Sequence, residues 1–224
     1  MKKSYIISAV CAALFLLMII LIKTVDVADI GPEGTKIGLS SINKAFHELT
    51  GLNDSWDKIA DYTMLLAFVT GLAFAVIGLV QLIQRKSLLK VDREILLLGG
   101  LYVVLGIFYV IFEKVVINYR PEILSDETKP EASFPSSHVM MACVVAGSVI
   151  VILGRYIKKA EQRVAARIIL SVVMLINVAA RLVSGVHWLT DIIGGIIISL
   201  FMLSALYTVI NIINGLERKK TKND

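Results

Sequence analysis

The chain has 224 residues, 57% of them apolar, with a mean hydropathy of +0.78. Soluble domains average about 45–50% apolar residues, and the excess here is gathered into runs near the roughly 20 residues that cross a bilayer, which excludes a soluble globular domain. The net charge of +5 does not signal nucleic acid, because the basic residues collect in short loops and no basic patch is interleaved with aromatics.

The N-terminal stretch MKKSYIISAVCAALFLLMIILIK carries two lysines and then an apolar run from Tyr5 to Ile22. The run is longer than a usual signal-peptide core and no small-residue cleavage site follows, so it reads as a retained first transmembrane helix. A polar segment over 23–57 contains the turn DIGPEG. Within it, Leu39, Ile42, Phe46 and Leu49 recur at helical spacing. This predicts a short amphipathic helix on the membrane surface, with His47 a surface residue beside the stripe. Further spans are predicted over Ile59–Ile83, Ile95–Ile117, Ser136–Leu153, Val164–Val183 and Trp188–Ile213, before a charged, frayed tail GLERKKTKND. Cys11 and Cys143 lie inside apolar runs without metal-type spacing and read as small hydrophobes. The predicted fold is all-α: a single polytopic helix bundle over 1–224, with six transmembrane helices and one interfacial helix.

Lysine and arginine set the orientation. The N-terminus, the loops QRKSLLKVDR and RYIKKAEQR, the tail and Arg167 hold 15 of the 23 basic residues; the opposite side holds 8, with 13 of the 18 acidic ones. The basic side is expected to be cytoplasmic, with both termini inside. Three loop–helix junctions then share the outer water: the end of span three (EKVVINYRP), the start of span four (FPSSH) and the entry to span six (HWLTD). These junctions, with Arg181 at the end of span five, bring together Lys114, Arg120, Arg181, His138 and His187. Basic residues in a span cost about 2.5–3.5 kcal/mol on insertion scales unless they are paired or reach water. Snorkelling to lipid headgroups explains Lys114. Two histidines at the same depth point instead to a bound anion.

His187 and Asp191 are four apart and share a helix face, so the carboxylate can fix the imidazole tautomer and leave the other nitrogen as a nucleophile or base. Ser136 or Ser137 follows a proline and precedes an apolar run, as an N-cap does, and the free N–H groups of that first turn suit an anion beside His138. Each pattern is weak alone; their order and spacing say more. The chain resembles the type-2 phosphatidic acid phosphatase superfamily, whose signature is a lysine followed after six residues by Arg-Pro, then Pro-Ser-Gly-His, then Ser-Arg with His and Asp downstream. Here Arg120-Pro121, PSSH and ARLVSGVHWLTD match over about residues 60–212. Ala180 stands for the signature serine, Ser137 for its glycine, and Glu113 at the lysine position, with Lys114 one residue late.

The resemblance implies an outer-face lipid phosphatase of the bacterial plasma membrane. His187 is the implied nucleophile, forming a phosphohistidine; Asp191 orients it, and His138 is the general acid and base. Arg120, Arg181, Ser136, Ser137 and, by its flexible stem, Lys114 are the implied phosphate ligands, with Glu113 pairing a cation. No metal or other cofactor is implied. The implied partners are the bilayer and a membrane lipid substrate: undecaprenyl diphosphate, phosphatidylglycerol phosphate or phosphatidic acid. A lipid phosphotransferase using the same intermediate and a non-catalytic lipid-phosphate binder are the alternatives.

Overall fold

A computed structural model describes residues 2–124 and 127–223. Seven α-helices run in chain order among the described residues: α1 (Lys2–Thr24), α2 (Ser40–Thr50), α3 (Asp54–Arg85), α4 (Arg93–Lys114), α5 (Ser137–Tyr156), α6 (Ala160–Val183) and α7 (Leu189–Asn223). All but α2 are long and apolar enough to cross a membrane. Strands are absent among the described residues; two isolated bridges, Ala28 with Ile37 and Tyr119 with Ala132, close loops. The chain is an integral membrane protein built as an all-α bundle.

α5 is the axis. In its hydrophobic window 67% is buried, against 17–28% for the other spans, and it packs on α3, α6 and α7. The outer helices present leucine, valine and isoleucine outward, among them Leu16, Leu72, Val103, Ile169 and Leu175, as lipid contact requires. α1 lies along α7, where Ser8 and Ser204 share a hydroxyl hydrogen bond of 2.8 Å. Cys11 is buried and Cys143 half-buried, and both are free thiols.

Two expectations are corrected. The last span is longer than expected, since α7 continues in helical conformation past Ile213 to Asn223. The third span stops at Lys114, short of the expected Ile117. Val115 leaves helical geometry (φ −97°, ψ 85°), and residues 118–120 pair antiparallel with 131–133. Arg120 N–H donates to Glu131 O (3.0 Å) and Ser133 N–H to Asn118 O (2.9 Å).

α2 forms where the apolar spacing predicts it, but its stripe splits: Ile42 and Leu49 are exposed, while Phe46 is half-buried. The loop before it folds back so that Asp26 caps its first turn, accepting from Ser41 N–H (2.7 Å) and Ser40 Oγ (3.0 Å). Those donors hold the Asp26 carboxyl below its ordinary pKa, the Ser41 backbone first. Asn43 is wholly buried and turned inward. Its Nδ2 donates to Gly38 O (2.9 Å) and Thr190 Oγ1 (3.0 Å), and its Oδ1 accepts from Thr190 N–H (3.2 Å). α2 is therefore bolted to the first turn of α7, inside HWLTD. His47 is accordingly not a free surface residue: its ring packs on Trp188, with centroids 5.4 Å apart.

Asn43→Ala strands a buried backbone donor at Thr190 along with the Gly38 carbonyl, a loss of about 1–3 kcal/mol. The thermal unfolding midpoint of the detergent-purified protein should fall clearly, and an unchanged midpoint would show that α2 is not anchored through this side chain.

Candidate active site

The extracted loops meet at one end of the bundle because three contacts fix their register. Ser136 N–H donates to Asp191 O (3.0 Å), tying the start of α5 to the first turn of α7. Trp188 Nε1 donates to Tyr119 O (2.7 Å), adding the 118–120 segment. Asn53 N–H donates to Ser184 O (2.9 Å), adding the start of α3. The last contact needs Gly185, which has φ +73° and lies so close to Gly51 O that any side chain would collide.

His187 sits in the short turn between α6 and α7, 4% exposed, and Asp191 is fully buried. Their closest approach, Nδ1 to Oδ2, is 3.6 Å, an ion-pair distance slightly longer than a hydrogen bond. Asp191 Oδ2 also accepts from Trp188 N–H (2.9 Å), and the side chains of Ser133 and Asn118 flank the carboxylate. Burial, followed by the positive Arg181 and Arg120 and by His138, holds the His187 pKa well below its ordinary value. Its imidazole is neutral across physiological pH and keeps a lone pair, as a nucleophile needs.

Beside Val186, the residue before His187, opens a cavity of about 780 Å³ lined also by Arg120, Ser137, His138, Arg181, Glu113, Glu131 and the first two turns of α3; His187 itself does not line it. Arg181, at the end of α6, has a side chain only 3% exposed. Its register is set one turn earlier, where Asn177 Nδ2 donates to Ala60 O (2.7 Å) and Thr63 Oγ1 (3.0 Å). Arg181 Nη1 donates to Asp57, and Nη2 lies 3.3 Å from Asp61 Oδ1. The same Asp61 oxygen is 3.2 Å from His138 Nε2. Arg120 Nε lies 3.3 Å from Glu131 Oε2.

Ser136 is the N-cap of α5, but its hydroxyl makes no capping bond. The residue is fully buried and is not in the cavity wall, whereas Ser137 lines it. Arg120, Ser137, His138 and Arg181 thus share one cavity, whereas His187, Asp191 and Ser136 are buried and are not among its lining residues. Lys114 does not join them. It is exposed and outside the cavity wall, while Glu113 faces in beside Tyr109. Successive helix positions point about 100° apart, and α4 ends at Lys114, so no further turn brings the stem round. Glu113 has no cation partner among the described residues.

Asp57, Lys58 and Asp61 were missed. They belong to none of the three motifs and stand 120 or more positions before Arg181 in the sequence. A signal was present, since Asp57 and Asp61 are one turn apart at the mouth of a span where carboxylates are costly.

The family model described as the PAP2 superfamily matches residues 94–214. Among solved structures, the chain is similar to the "first transmembrane PAP2 type phosphatidylglycerolphosphate phosphatase from Bacillus subtilis", with 18% identity, a TM-score of 0.65, and coverage of 95% of this chain and 96% of that one. At that identity the likeness shows the shared fold. No curated protein matches the chain.

The geometry separates two neighbours on one helix and its exit. Lys114→Ala should leave binding of inorganic phosphate within about twofold of wild type, while Arg120→Ala should weaken it tenfold or more, about the worth of one charge-assisted hydrogen bond. Isothermal titration of phosphate into the detergent-purified protein measures both, and equal losses would return Lys114 to the site.

Proposed function

The chain belongs to the PAP2 superfamily, and from that premise we propose that it is a lipid phosphatase. On this reading it hydrolyses a terminal phosphate or diphosphate of a membrane lipid at the outer face, through a phosphohistidine on His187. The observation that carries the reading is the convergence of Arg120, His138 and Arg181 on one cavity, with a neutral His187 and its Asp191 buried close to those three side chains. A cavity that offers only cations would bind phosphate; a histidine kept neutral and oriented by a buried carboxylate adds a nucleophile.

The chemistry follows from the groups present. Arg120 and Arg181 hold the equatorial oxygens, where phosphoryl transfer needs its charge stabilised. A His187 nitrogen attacks phosphorus as the ester P–O bond breaks, and His138 delivers its proton to the leaving oxygen. Water then attacks the phosphohistidine and gives a proton back to His138. The N–P bond breaks, phosphate leaves, and both histidines are restored. Ser137 and the N–H groups of the first turn of α5 complete the cradle. Charge stabilisation comes from arginine, so the reaction is proposed to need no metal. Phosphatidylglycerol phosphate, the substrate named for the Bacillus subtilis neighbour, joins undecaprenyl diphosphate and phosphatidic acid as leading substrates.

Phosphate release from a panel of these lipids, with EDTA present, tests the proposal. Wild type should turn over at least one of them, His187→Ala should lose activity by orders of magnitude, and Asp191→Asn should keep a residue of it, because Asp191 orients without reacting. Near wild-type turnover by His187→Ala would remove the nucleophile from the scheme.

The sidedness of the site is proposed from the 15-to-8 division of basic residues. In a background lacking Cys11 and Cys143, Lys129→Cys in intact cells should react with a membrane-impermeant thiol reagent and Lys158→Cys should not. The reverse labelling would put the cavity in the cytoplasm and change the pool of available lipids.

A further inference from the structure

We propose that Asp61 is a specificity-determining residue of the phosphate site, whose carboxylate competes with a phosphoryl oxygen for Arg181 and His138 and so admits phosphate monoesters and terminal diphosphates over phosphodiesters. The inference rests on the reading of this cavity as a phosphate site.

One oxygen carries the argument. Asp61 Oδ1 stands 3.3 Å from Arg181 Nη2 and 3.2 Å from His138 Nε2. A phosphoryl oxygen held by the guanidinium and facing the proton of the imidazole has to occupy that same place, since charge-assisted contacts of this kind close to about 2.7–2.9 Å. The other His138 nitrogen, Nδ1, is buried without a partner, so Nε2 is the atom that faces the cavity. Phosphate and Asp61 therefore cannot both hold this position.

The two carboxylates on this face of α3 differ in freedom. The Asp57 side chain is 27% exposed and bonds Arg181 Nη1. The Asp61 side chain is 51% exposed and borders the cavity, so a rotation of its short stem takes it into water. The charges around the cavity are Arg181 from α6, Arg120 from the 118–120 segment and His138 from α5, with Asp54, Asp57 and Lys58 from α3, Glu113 from α4, and Glu127 and Glu131 before α5; of the carboxylates, Asp57 and Asp61 are the two that reach Arg181. Binding at Arg181 is then an exchange of anions, not the creation of a new ion pair. A phosphate with two negative charges gains over a carboxylate with one. A phosphodiester also carries one charge and gains nothing from the exchange. The bilayer around the cavity presents phosphodiester headgroups in great excess, so a discriminator of this kind keeps Arg181 from being occupied by ordinary phospholipid. It also lowers affinity for inorganic phosphate and so speeds product release.

The test uses the full-length protein in detergent, with inorganic phosphate titrated calorimetrically and phosphatidylglycerol added in mixed micelles as a competitor. Asp61→Ala and Asp61→Asn should each bind phosphate about tenfold more tightly than wild type and become inhibited by phosphatidylglycerol, while Asp61→Glu should behave as wild type. Matched gel-filtration profiles and melting curves identify a variant that folds, and either neutral substitution suffices. Unchanged or weaker phosphate binding in the folded neutral variant would overturn the role of Asp61 alone. Absence of phosphate binding in wild type and in every variant would overturn the reading of the cavity itself.

Discussion

A guanidinium buried to 3% exposure at the end of a membrane helix is the constraint around which this end of the molecule is arranged. An unpaired ion removed from water costs on the order of several kcal/mol, so Arg181 requires anions within reach. They come from α3, and only if α3 and α6 are held in one register. Asn177 fixes that register through Ala60 and Thr63, and the next turn brings Arg181 to Asp57 and Asp61. The Gly51–Gly185 crossing then lets the loops above close over the pair. Arg181 is thus paired by contacts formed deeper in the bundle, and the cavity follows from them.

α5 supplies the second half of the arrangement. Its buried face is made of small and β-branched residues, including Ala142, Val145, Ala146 and Val149, so that α3, α6 and α7 all approach it closely. Gly194 on α7 admits the ring of Phe134, where any side chain would clash. The result places the first turn of α5 between the ends of α3, α6 and α7. His138 then reaches the Asp61 carboxylate on α3, and Ser136 bonds the backbone of Asp191. A lone amphipathic helix on the bundle's rim would not need a buried asparagine, but α2 has one because it braces α7 at Thr190.

Much of this was legible beforehand. Hydropathy located all six spans, because length and apolar content decide which segments cross a bilayer. The HWLTD and PSSH spacings single out His187, Asp191 and His138, and the fold brings all three to one end of the bundle, with His187 in the turn just before α7. What failed was inference across an irregular segment. The flexible stem expected to carry Lys114 to the site does not do so, because the helix ends at Lys114 and the chain then turns extended to pair with 131–133. Asp57 and Asp61 failed for another reason: their partners are 120 and more residues away, and no local pattern encodes a contact that only the packing of α3 on α6 creates.

The two histidines show what that packing achieves. Both lie near the same two arginines, and both have a carboxylate close by. His187 is almost wholly buried, with an equally buried aspartate at 3.6 Å, so its imidazole stays neutral and the packing around it limits its movement. His138 borders the cavity, and its carboxylate is half exposed and free to leave. A nucleophile needs a constant protonation state and a fixed direction, whereas an acid–base group must exchange a proton twice in each cycle and meet water between the two steps. The depth of each pair therefore matches the roles proposed for it. That match comes from three-dimensional burial, since in sequence the two histidines stand in equally polar junctions between equally apolar spans.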